Sequence, residues 1–132
     1  MASIFTKIIR REIPAHVVAE DDKYLAFLDI NPLTKGHTLV VPKVEIDYIF
    51  DLDDATLSGL LVFSRKVAAA LKGVTKCNRV AVVVLGMEVP HAHVHLIPMN
   101  RMSDANFSNP KLTLSQDELA AIAASIRSVA DK

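Results

Sequence analysis

The sequence has little of what marks a disulfide scaffold, a membrane protein or a nucleic-acid-binding surface. Cys77 is the one cysteine among 132 residues, which excludes an internal disulfide and a cysteine-rich zinc site. No apolar run approaches the roughly 20 residues that a helix needs to cross a bilayer. Basic and acidic residues both number 15, so the chain lacks the positive excess that nucleic-acid binding requires. We expect no membrane or nucleic-acid partner, and the lone cysteine without a recognisable secretory signal favours the cytoplasm.

Glycine is also scarce, which excludes the common glycine-rich nucleotide-binding loops. The four glycines lie far apart, at Gly36, Gly59, Gly73 and Gly86, so neither a P-loop nor a dinucleotide fingerprint is present. No Gly-x-Ser-x-Gly nucleophile elbow occurs either. What the chain does have is 51% hydrophobic residues with only 5% aromatics. This composition is typical of one compact aliphatic domain, since a chain of this size buries about two-thirds of its surface.

Apolar periodicity and turn residues predict eight elements. The predicted segments are, in order, a short helix with Ile4, Phe5, Ile8 and Ile9 on one side and Ser3 as its cap, strands His16–Glu20, Tyr24–Ile30 and His37–Val41, a helix Asp54–Lys72 ended by Gly73, strands Arg79–Leu85 and His91–Ile97, and a last helix starting at the capping box Ser115–Glu118. Short turns between neighbouring strands favour antiparallel pairing, so the sequence predicts an α+β domain.

Two details of this pattern concern packing. The almost unbroken apolar run Arg79–Leu85 is typical of a strand covered on both faces. Residues 1–98 are expected to form the core of the domain. Residues 99–132 are expected to add a loop and a helix that pack on the same domain.

Three of the five histidines alternate with apolar residues in the run His91–Ile97. Because side chains alternate along a strand, His91, His93 and His95 would share one face, roughly 6.5–7 Å apart, while the residues between them face the core. Buried imidazoles each need a hydrogen-bond partner. Three in strict alternation therefore favour a functional cluster over ordinary core histidines.

The spacing alone leaves two chemical interpretations open. Histidines at i and i+2 on a strand can bind zinc, so His91 and His93 could be ligands, with His37 or Glu88 supplying a third. Alternatively, a neutral imidazole can attack phosphorus and form a covalent nucleotidyl intermediate, with neighbouring donors stabilising the charge on the phosphorus oxygens.

A resemblance to a known family separates these interpretations. The His91–Ile97 run resembles the His-φ-His-φ-His-φ-φ motif of the histidine triad (HIT) superfamily, and further segments resemble its Hint-like, nucleoside phosphoramidase-like branch in a bacterial-type variant. Those segments are Ile4–Arg10, Glu12–Ala15, Glu20–Asp22, Ala26–Pro32 and His37–Lys43. Five blocks in the same order, over roughly residues 4–98, make the resemblance far more specific than the triad by itself.

The resemblance implies both a fold and an activity. The implied fold is an antiparallel five-stranded sheet with one long helix and a short N-terminal helix, to which the sequence itself adds the predicted C-terminal helix. The implied activity is hydrolysis of nucleoside 5′-phosphoramidates or related nucleotidyl compounds at the α-phosphate, with release of AMP or GMP. A purine nucleotide is the implied ligand, without a cofactor or a bound metal. Relatives form homodimers through the long helix and the strand Arg79–Leu85, so a homodimer is implied as well.

The resemblance also assigns roles to the histidines. His93, the middle residue of the triad, corresponds to the nucleophile. His91 helps to orient it, partly through its backbone carbonyl, and His95 contacts the phosphate. His37 corresponds to a further histidine behind the triad.

The remaining implied site residues bind the nucleoside. Asp29 corresponds to the carboxylate that accepts hydrogen bonds from the ribose hydroxyls, and the base is framed by Phe5, Ile8, Leu28 and Ile30. From the residues alone, Asp29 could also be a turn residue before Asn31-Pro32. Core packing is the simpler explanation for Phe5 and Ile8, because apolar helix faces are usually buried.

The sequence departs from the family pattern at three places, one of which is the predicted helix after Pro98, which the familiar eukaryotic members lack. The segment Leu85–Pro90 is shorter than its counterpart and lacks its asparagine, and Glu88 falls about where relatives have a serine near the leaving group. Glu88 is therefore either an acid that protonates a leaving amine or a surface turn residue. Glu45 stands where relatives often have a histidine.

Three other functions remain as alternatives. The chain could be a dinucleoside polyphosphate hydrolase, a zinc-binding protein, or a non-catalytic nucleotide-binding module that recruits a partner.

Overall fold

A computed structural model describes residues 2–131 and has a five-stranded antiparallel sheet with three α-helices. The elements are α1 (Ile4–Ile9), β1 (Val17–Glu20), β2 (Tyr24–Leu28), β3 (Thr38–Pro42), α2 (Asp54–Thr75), β4 (Arg79–Val83), β5 (Val94–Met99) and α3 (Gln116–Ala130), with 3-10 turns at Ile49–Asp51 and Met102–Ala105. The sheet order is β1-β2-β3-β5-β4. The α+β class, the five antiparallel strands and the three helices are all confirmed.

The two faces of the sheet have different partners, because side chains alternate along each strand. One face packs against α2 and α3 and forms the main core, to which β5 contributes Val94 and Leu96. The other face packs against α1 through a smaller cluster of Phe5, Ile8, Leu25, Phe27, Leu39 and Val41. His95 projects from β5 on this second face, opposite Leu39 of β3. The last triad histidine therefore lies on the same face of the sheet as α1.

The predicted start of the triad strand is wrong. Ladder pairing of β5 begins only at Val94, so His91 and His93 lie in the extended segment that leads into the strand. The alternation itself persists, since Ala92 belongs to the main core. Outside the ladder, the rings of His91 and His93 can turn toward different partners. The centroids of the His93 and His95 rings are 5.1 Å apart, which is closer than the spacing of alternate residues on a strand.

The long helix extends further than predicted. Gly73 does not end α2, which continues to Thr75 and closes on Lys76 in the left-handed conformation, at φ 59°. A single glycine inside a helix is tolerated because the neighbouring hydrogen bonds persist. The C-terminal end of α2 therefore depends on the left-handed conformation of Lys76. The sequence does not predict this end, because the residue at that position is not a glycine.

The strand β4 is not covered on both faces, which corrects the prediction from its apolar run. It pairs only with β5 and leaves its other edge free within the described residues. Val82, Val84 and Leu85 are exposed, and so are Leu61 and Val62 on the neighbouring α2. A groove of about 650 Å³ lies between these elements.

The C-terminal segment divides into two parts. Helix α3 packs against α2 and β1 in the main core, on the face of the sheet away from α1. The preceding loop crosses to the other side of the molecule, where the amide of Leu112 donates to the carbonyl of Pro32. None of the helices described is long and apolar enough to span a membrane.

Candidate active site

The protonation pattern of His93 is set by its own chain. Its Nδ1 lies 2.8 Å from the backbone carbonyl oxygen of His91. Because a carbonyl can only accept, Nδ1 carries the proton. A neutral ring then has a lone pair on Nε2, which makes no hydrogen bond among the described residues. The side chain borders a cavity, so this lone pair is available to a ligand.

His95 has the opposite pattern, and His37 is the cause. The backbone amide of Leu33 donates to His37 Nδ1 at 3.0 Å, which leaves the His37 proton on Nε2. That Nε2–H donates to His95 Nδ1, also at 3.0 Å. His95 must therefore carry its own proton on Nε2. The Leu33 amide thus determines the tautomer of His37, and His37 in turn determines that of His95.

His91 is fully buried and uses both ring nitrogens within the protein. Its Nε2 donates to the carbonyl of Pro42 at 2.8 Å. Its Nδ1 accepts from the hydroxyl of Ser3 at 2.8 Å. His91 consequently has no lone pair left for a ligand, and its contribution to the site is the carbonyl that holds His93.

Burial keeps these rings neutral. It lowers the pKa of His37 to about 4, with a smaller contribution from the positive charge of Lys111. Burial and the neighbouring His37 and His93 lower the pKa of His95 to about 4. The pKa of His91 is lowered as well, by burial, against the opposing effect of the Pro42 carbonyl. At neutral pH these three imidazoles are uncharged, so the tautomers derived from their partners apply.

The cavity beside the triad has a volume of about 350 Å³. Its lining comprises Phe5, Asp29, Leu39, residues 85–89, His93, His95 and Phe107. The Phe5 ring meets His93 edge-on, with 4.9 Å between centroids. This arrangement gives the pocket an apolar wall next to the free nitrogen of His93.

Asp29 forms the turn considered from the sequence and also lies at the cavity. It follows the end of β2, and its Oδ1 accepts from the amide of Asn31 at 2.8 Å, as in an Asx turn. Its Oδ2 lies 3.7 Å from His37 Nε2 at the edge of the cavity. Burial raises the pKa of Asp29, and the Asn31 amide opposes that shift. One oxygen therefore shapes the turn, and the other belongs to the pocket.

The remaining predicted site residues lie in different environments. Glu88 borders the cavity as an exposed side chain, without a hydrogen bond or ion pair among the described residues. Ile8 is buried between α1 and the sheet, and Leu28 lies in the main core. Ile30 is 59% exposed. These three aliphatic residues are not among those that line the cavity.

Asp29, His37 and His95 have potential metal ligand atoms within 4.8 Å of one another. Their hydrogen bonds oppose that use. To bind a cation through Nε2, His37 would have to move its proton to Nδ1, where it would point at the amide hydrogen of Leu33. The zinc pair considered from the sequence is equally disfavoured, because both nitrogens of His91 are occupied.

Two groups near the site could not be identified from the sequence. Phe107, in the loop before α3, packs edge-on against His95 at 5.0 Å and against His37 at 6.2 Å. No periodicity distinguishes it from other loop residues. Behind His91, the side chains of Thr6 and Glu45 extend the hydrogen-bond network of Ser3. The only available signals were the capping position of Ser3 and the departure from the family pattern at Glu45.

Comparisons with known proteins identify the family of the chain. A family model described as HIT domain matches residues 10–102. An uncharacterized HIT-like protein of Borreliella burgdorferi is 42% identical over 102 residues, covering 72% of this chain and 73% of its own length.

Two crystal structures are similar over nearly the whole chain. A Hit-like protein from Bartonella henselae is 33% identical, with a TM-score of 0.82 and coverage of 96% of this chain and 95% of its own. A hypothetical histidine triad nucleotide-binding protein from Sulfolobus tokodaii is 28% identical, with a TM-score of 0.83 and coverage of 97% and 91%. With its triad, its sheet and a family match over most of its length, this chain belongs to the HIT family.

Proposed function

We propose that this protein is a nucleotide-binding hydrolase that cleaves nucleoside 5′-phosphoramidates or related nucleotidyl compounds at the α-phosphate. The observation that carries the proposal is the hydrogen bond from His93 Nδ1 to the His91 carbonyl, at 2.8 Å. It leaves Nε2 of a neutral imidazole unprotonated beside a cavity. A binding module would not need a lone pair held in this way, whereas nucleophilic attack on phosphorus does.

His95 supports the same reaction from the electrophilic side. Its Nε2–H, fixed by the relay from Leu33 through His37, is a neutral donor next to the nucleophile. A phosphate that presents phosphorus to His93 would present an oxygen to His95. This donor would stabilise the negative charge that grows on the oxygens as the nucleophile attacks.

The proposed reaction has two balanced steps. In the first, the His93 Nε2 lone pair forms a bond to phosphorus, the phosphorus–nitrogen bond breaks, and the departing amine takes up one proton. In the second, water attacks phosphorus, replaces His93 and gives one proton to the group that protonated the amine, which releases the nucleoside monophosphate and regenerates the neutral ring. The His91 carbonyl accepts a hydrogen bond from His93 Nδ1–H in both steps and so stabilises the positive charge on the nucleotidylated imidazole.

We propose Glu88 as the source of the proton for the leaving amine, since it is the one acid at the mouth of the cavity besides Asp29. Glu88→Gln should then slow hydrolysis of an alkyl phosphoramidate by about 100-fold or more. A substrate with an acidic phenol as leaving group needs no such proton and should be cleaved at the normal rate. Equal effects on the two substrates would rule out the acid role.

The nucleoside is proposed to bind along Asp29 and Phe5. Oδ2 of Asp29 is the acceptor offered to the ribose hydroxyls, and the Phe5 ring is the apolar surface nearest the phosphate position. Ile8, Leu28 and Ile30 remain proposed contacts for a purine base, although they do not line the cavity. The Sulfolobus tokodaii relative is described as a hypothetical histidine triad nucleotide-binding protein, which supports this class of ligand.

The test is hydrolysis of adenosine 5′-phosphoramidate by the wild type, His93→Ala and His16→Ala, each with and without EDTA. His16 is the matched control, because it is a half-buried histidine that does not line the cavity and whose ring bonds Gln116 at the start of α3. AMP release in EDTA by the wild type and His16→Ala, but not by His93→Ala, is the expected result. Activity that requires a metal would favour the zinc alternative. Turnover confined to dinucleoside polyphosphates would favour that alternative, and AMP binding without turnover would favour a binding module.

We further propose that the protein is a homodimer. The exposed apolar residues of α2 and β4, together with the free edge of β4, form a surface that a monomer rarely leaves in water. The resemblance to the HIT family places the dimer contact on these same two elements, so a second copy is the proposed occupant of the groove.

A further inference from the structure

A carboxylate outside the cavity is connected to the triad through two hydroxyl groups. Glu45 follows the end of β3 by three residues. Its Oε1 accepts from the backbone amide of Ser3 at 2.6 Å and from the hydroxyl of Thr6 at 2.5 Å. Glu45 therefore binds both ends of the first turn of α1 with a single oxygen atom.

The direction of each hydrogen bond in this network follows from the carboxylate. A carboxylate can only accept, so the Thr6 hydroxyl must donate to Glu45. The Ser3 hydroxyl accepts from the Thr6 amide at 3.0 Å and keeps its own proton for His91 Nδ1 at 2.8 Å. The amide and hydroxyl of Ser3 are thus both committed, one to Glu45 and the other to His91.

The backbone next to Glu45 is joined to the triad as well. The carbonyl of Ile46 accepts from the amide of Ala92 at 2.7 Å, and the carbonyl of Pro42 accepts from the His91 ring. The His91 carbonyl, which holds the nucleophile, lies between these attachments. Phe5, in the same turn of α1, packs edge-on against both His91 and His93. The first turn of α1 and the segment after β3 therefore clamp His91 from two sides.

We propose that Glu45 is a positioning residue for the nucleophile: it fixes α1 and, through Ser3 and Thr6, the His91 carbonyl that orients His93. The inference rests on the proposed function, but its structural part does not depend on any substrate. The hydrogen bonds from Ser3 and Thr6 lower the pKa of Glu45 to about 2, so the acceptor is ionised at all working pH values. The role requires an acceptor oxygen and not a proton donor.

The variants Glu45→Ala and Glu45→Gln test this role. Alanine removes the acceptor, and kcat should fall about tenfold to hundredfold with KM little changed, because a small displacement of a reacting group is costly. Glutamine retains an amide oxygen in the same place and should restore kcat to within about threefold of the wild type. Ser3→Ala removes the donor to His91 and should reproduce the effect of Glu45→Ala, which decides the matter if Glu45→Ala does not fold.

A second readout needs no turnover. Nitrogen-15 spectra of histidine-labelled protein report the tautomer of His93, which should be protonated at Nδ1 and bare at Nε2 in the wild type. In Glu45→Ala the two nitrogen resonances should move toward each other as the tautomers mix, whereas Glu45→Gln should keep the wild-type positions.

Asp53→Ala is the matched control, because Asp53 caps α2 by accepting the Thr56 amide at 2.7 Å, away from the triad. It should lower thermal stability without changing kcat or the spectra. The proposal is overturned if Glu45→Ala and Ser3→Ala behave in the same way as Asp53→Ala. If the wild type cleaves no nucleotide compound but the His93 resonances still move in Glu45→Ala, the proposed function fails and the positioning role stands.

Discussion

Four buried histidines in this protein differ in the partners of their ring nitrogens. Both ring nitrogens of His91 make hydrogen bonds. His37 accepts a hydrogen bond from Leu33 and donates one to His95. His93 uses only Nδ1 and leaves Nε2 without a partner among the described residues. The same residue type thus supplies an anchor, a relay, a donor and a lone pair. These differences come from acceptors and donors on other segments, because a neutral imidazole adopts the tautomer that its partners satisfy.

The sequence could identify these histidines but not their tautomers. Alternation in His91–Ile97 and the family resemblance point to the four histidines that the structure brings together. The hydroxyl that meets His91 is 88 residues away in the chain, and the partner of His95 is 58 residues away. Contacts of that range leave no periodic signal, so the protonation pattern became accessible only with the fold.

Phe107 gives a prediction at the scale of one residue. Its ring covers one side of His95, so Phe107→Ala would admit water beside the proposed phosphate donor. Such edge-on contacts are worth about 0.5–1.5 kcal/mol, so kcat/KM should fall about threefold to tenfold. Phe50→Ala, in which an exposed aromatic ring outside the cavity is removed, serves as the control and should leave kcat/KM unchanged. Equal values for the wild type and Phe107→Ala would show that the loop does not contribute to the site.

At the scale of elements, the helix and strand types were predictable and their limits were not. Apolar periodicity gave α2, but its last turn depends on Lys76 adopting a left-handed conformation. The apolar run of β4 was interpreted as a strand covered on both faces, yet one of its edges is free and Val82 is exposed. A sequence records that a strand is apolar. The sequence does not show whether the apolar side chains of that strand pack against their own chain or against another copy.

Alanine substitutions at the two glycines inside α2 are expected to change the free energy of unfolding in opposite directions. A Cβ at Gly73 would make an ordinary contact with Val129, so Gly73→Ala should stabilise the fold by about 0.5–1 kcal/mol through helix propensity. A Cβ at Gly59 would overlap the hydroxyl of Tyr24, which is held by the Thr56 carbonyl and by stacking on Phe63. Gly59→Ala should therefore destabilise by about 1–3 kcal/mol.

Urea denaturation of the two glycine variants measures both effects. Both changes add the same methyl group to the same helix, so each variant is the other's control. Similar changes in the free energy of unfolding, in either direction, would contradict the packing described for α2.

At the scale of the whole molecule, the buried imidazoles make stability depend on pH. The pKa of His37 and of His95 is lowered to about 4, while an unfolded histidine titrates near 6.5. Below pH 6.5 the unfolded chain binds protons that the folded chain does not, so the free energy of unfolding falls until about pH 4. The loss between pH 7 and pH 5 should be on the order of 1–2 kcal/mol for each ring.

Urea denaturation at pH 7 and at pH 5, a window above the usual range of carboxylates, measures this loss. His37→Gln should reduce the pH dependence, because it removes one of the buried titrating rings. A free energy of unfolding that stays constant from pH 7 to pH 5 would contradict the neutral, buried state of the pair.

The proposed dimer gives a second whole-molecule prediction. Val82→Glu places a charge in the centre of the exposed surface of α2 and β4, which a dimer would bury. Light scattering at micromolar concentration should report a dimer for the wild type and a monomer for this variant. Met102→Glu, at an exposed residue outside the groove, should remain dimeric. A monomeric wild type would refute the proposal.

The central claim is that Nε2 of His93 is the nucleophile. Its most direct test is to mix the protein rapidly with adenosine 5′-phosphoramidate, quench at alkaline pH, where a phosphorus–imidazole bond persists, and measure peptide masses. The account predicts one AMP moiety on the peptide that contains the triad, attached at His93 and absent from His93→Ala. AMP release by the wild type without any adduct, or an adduct that persists in His93→Ala, would contradict it.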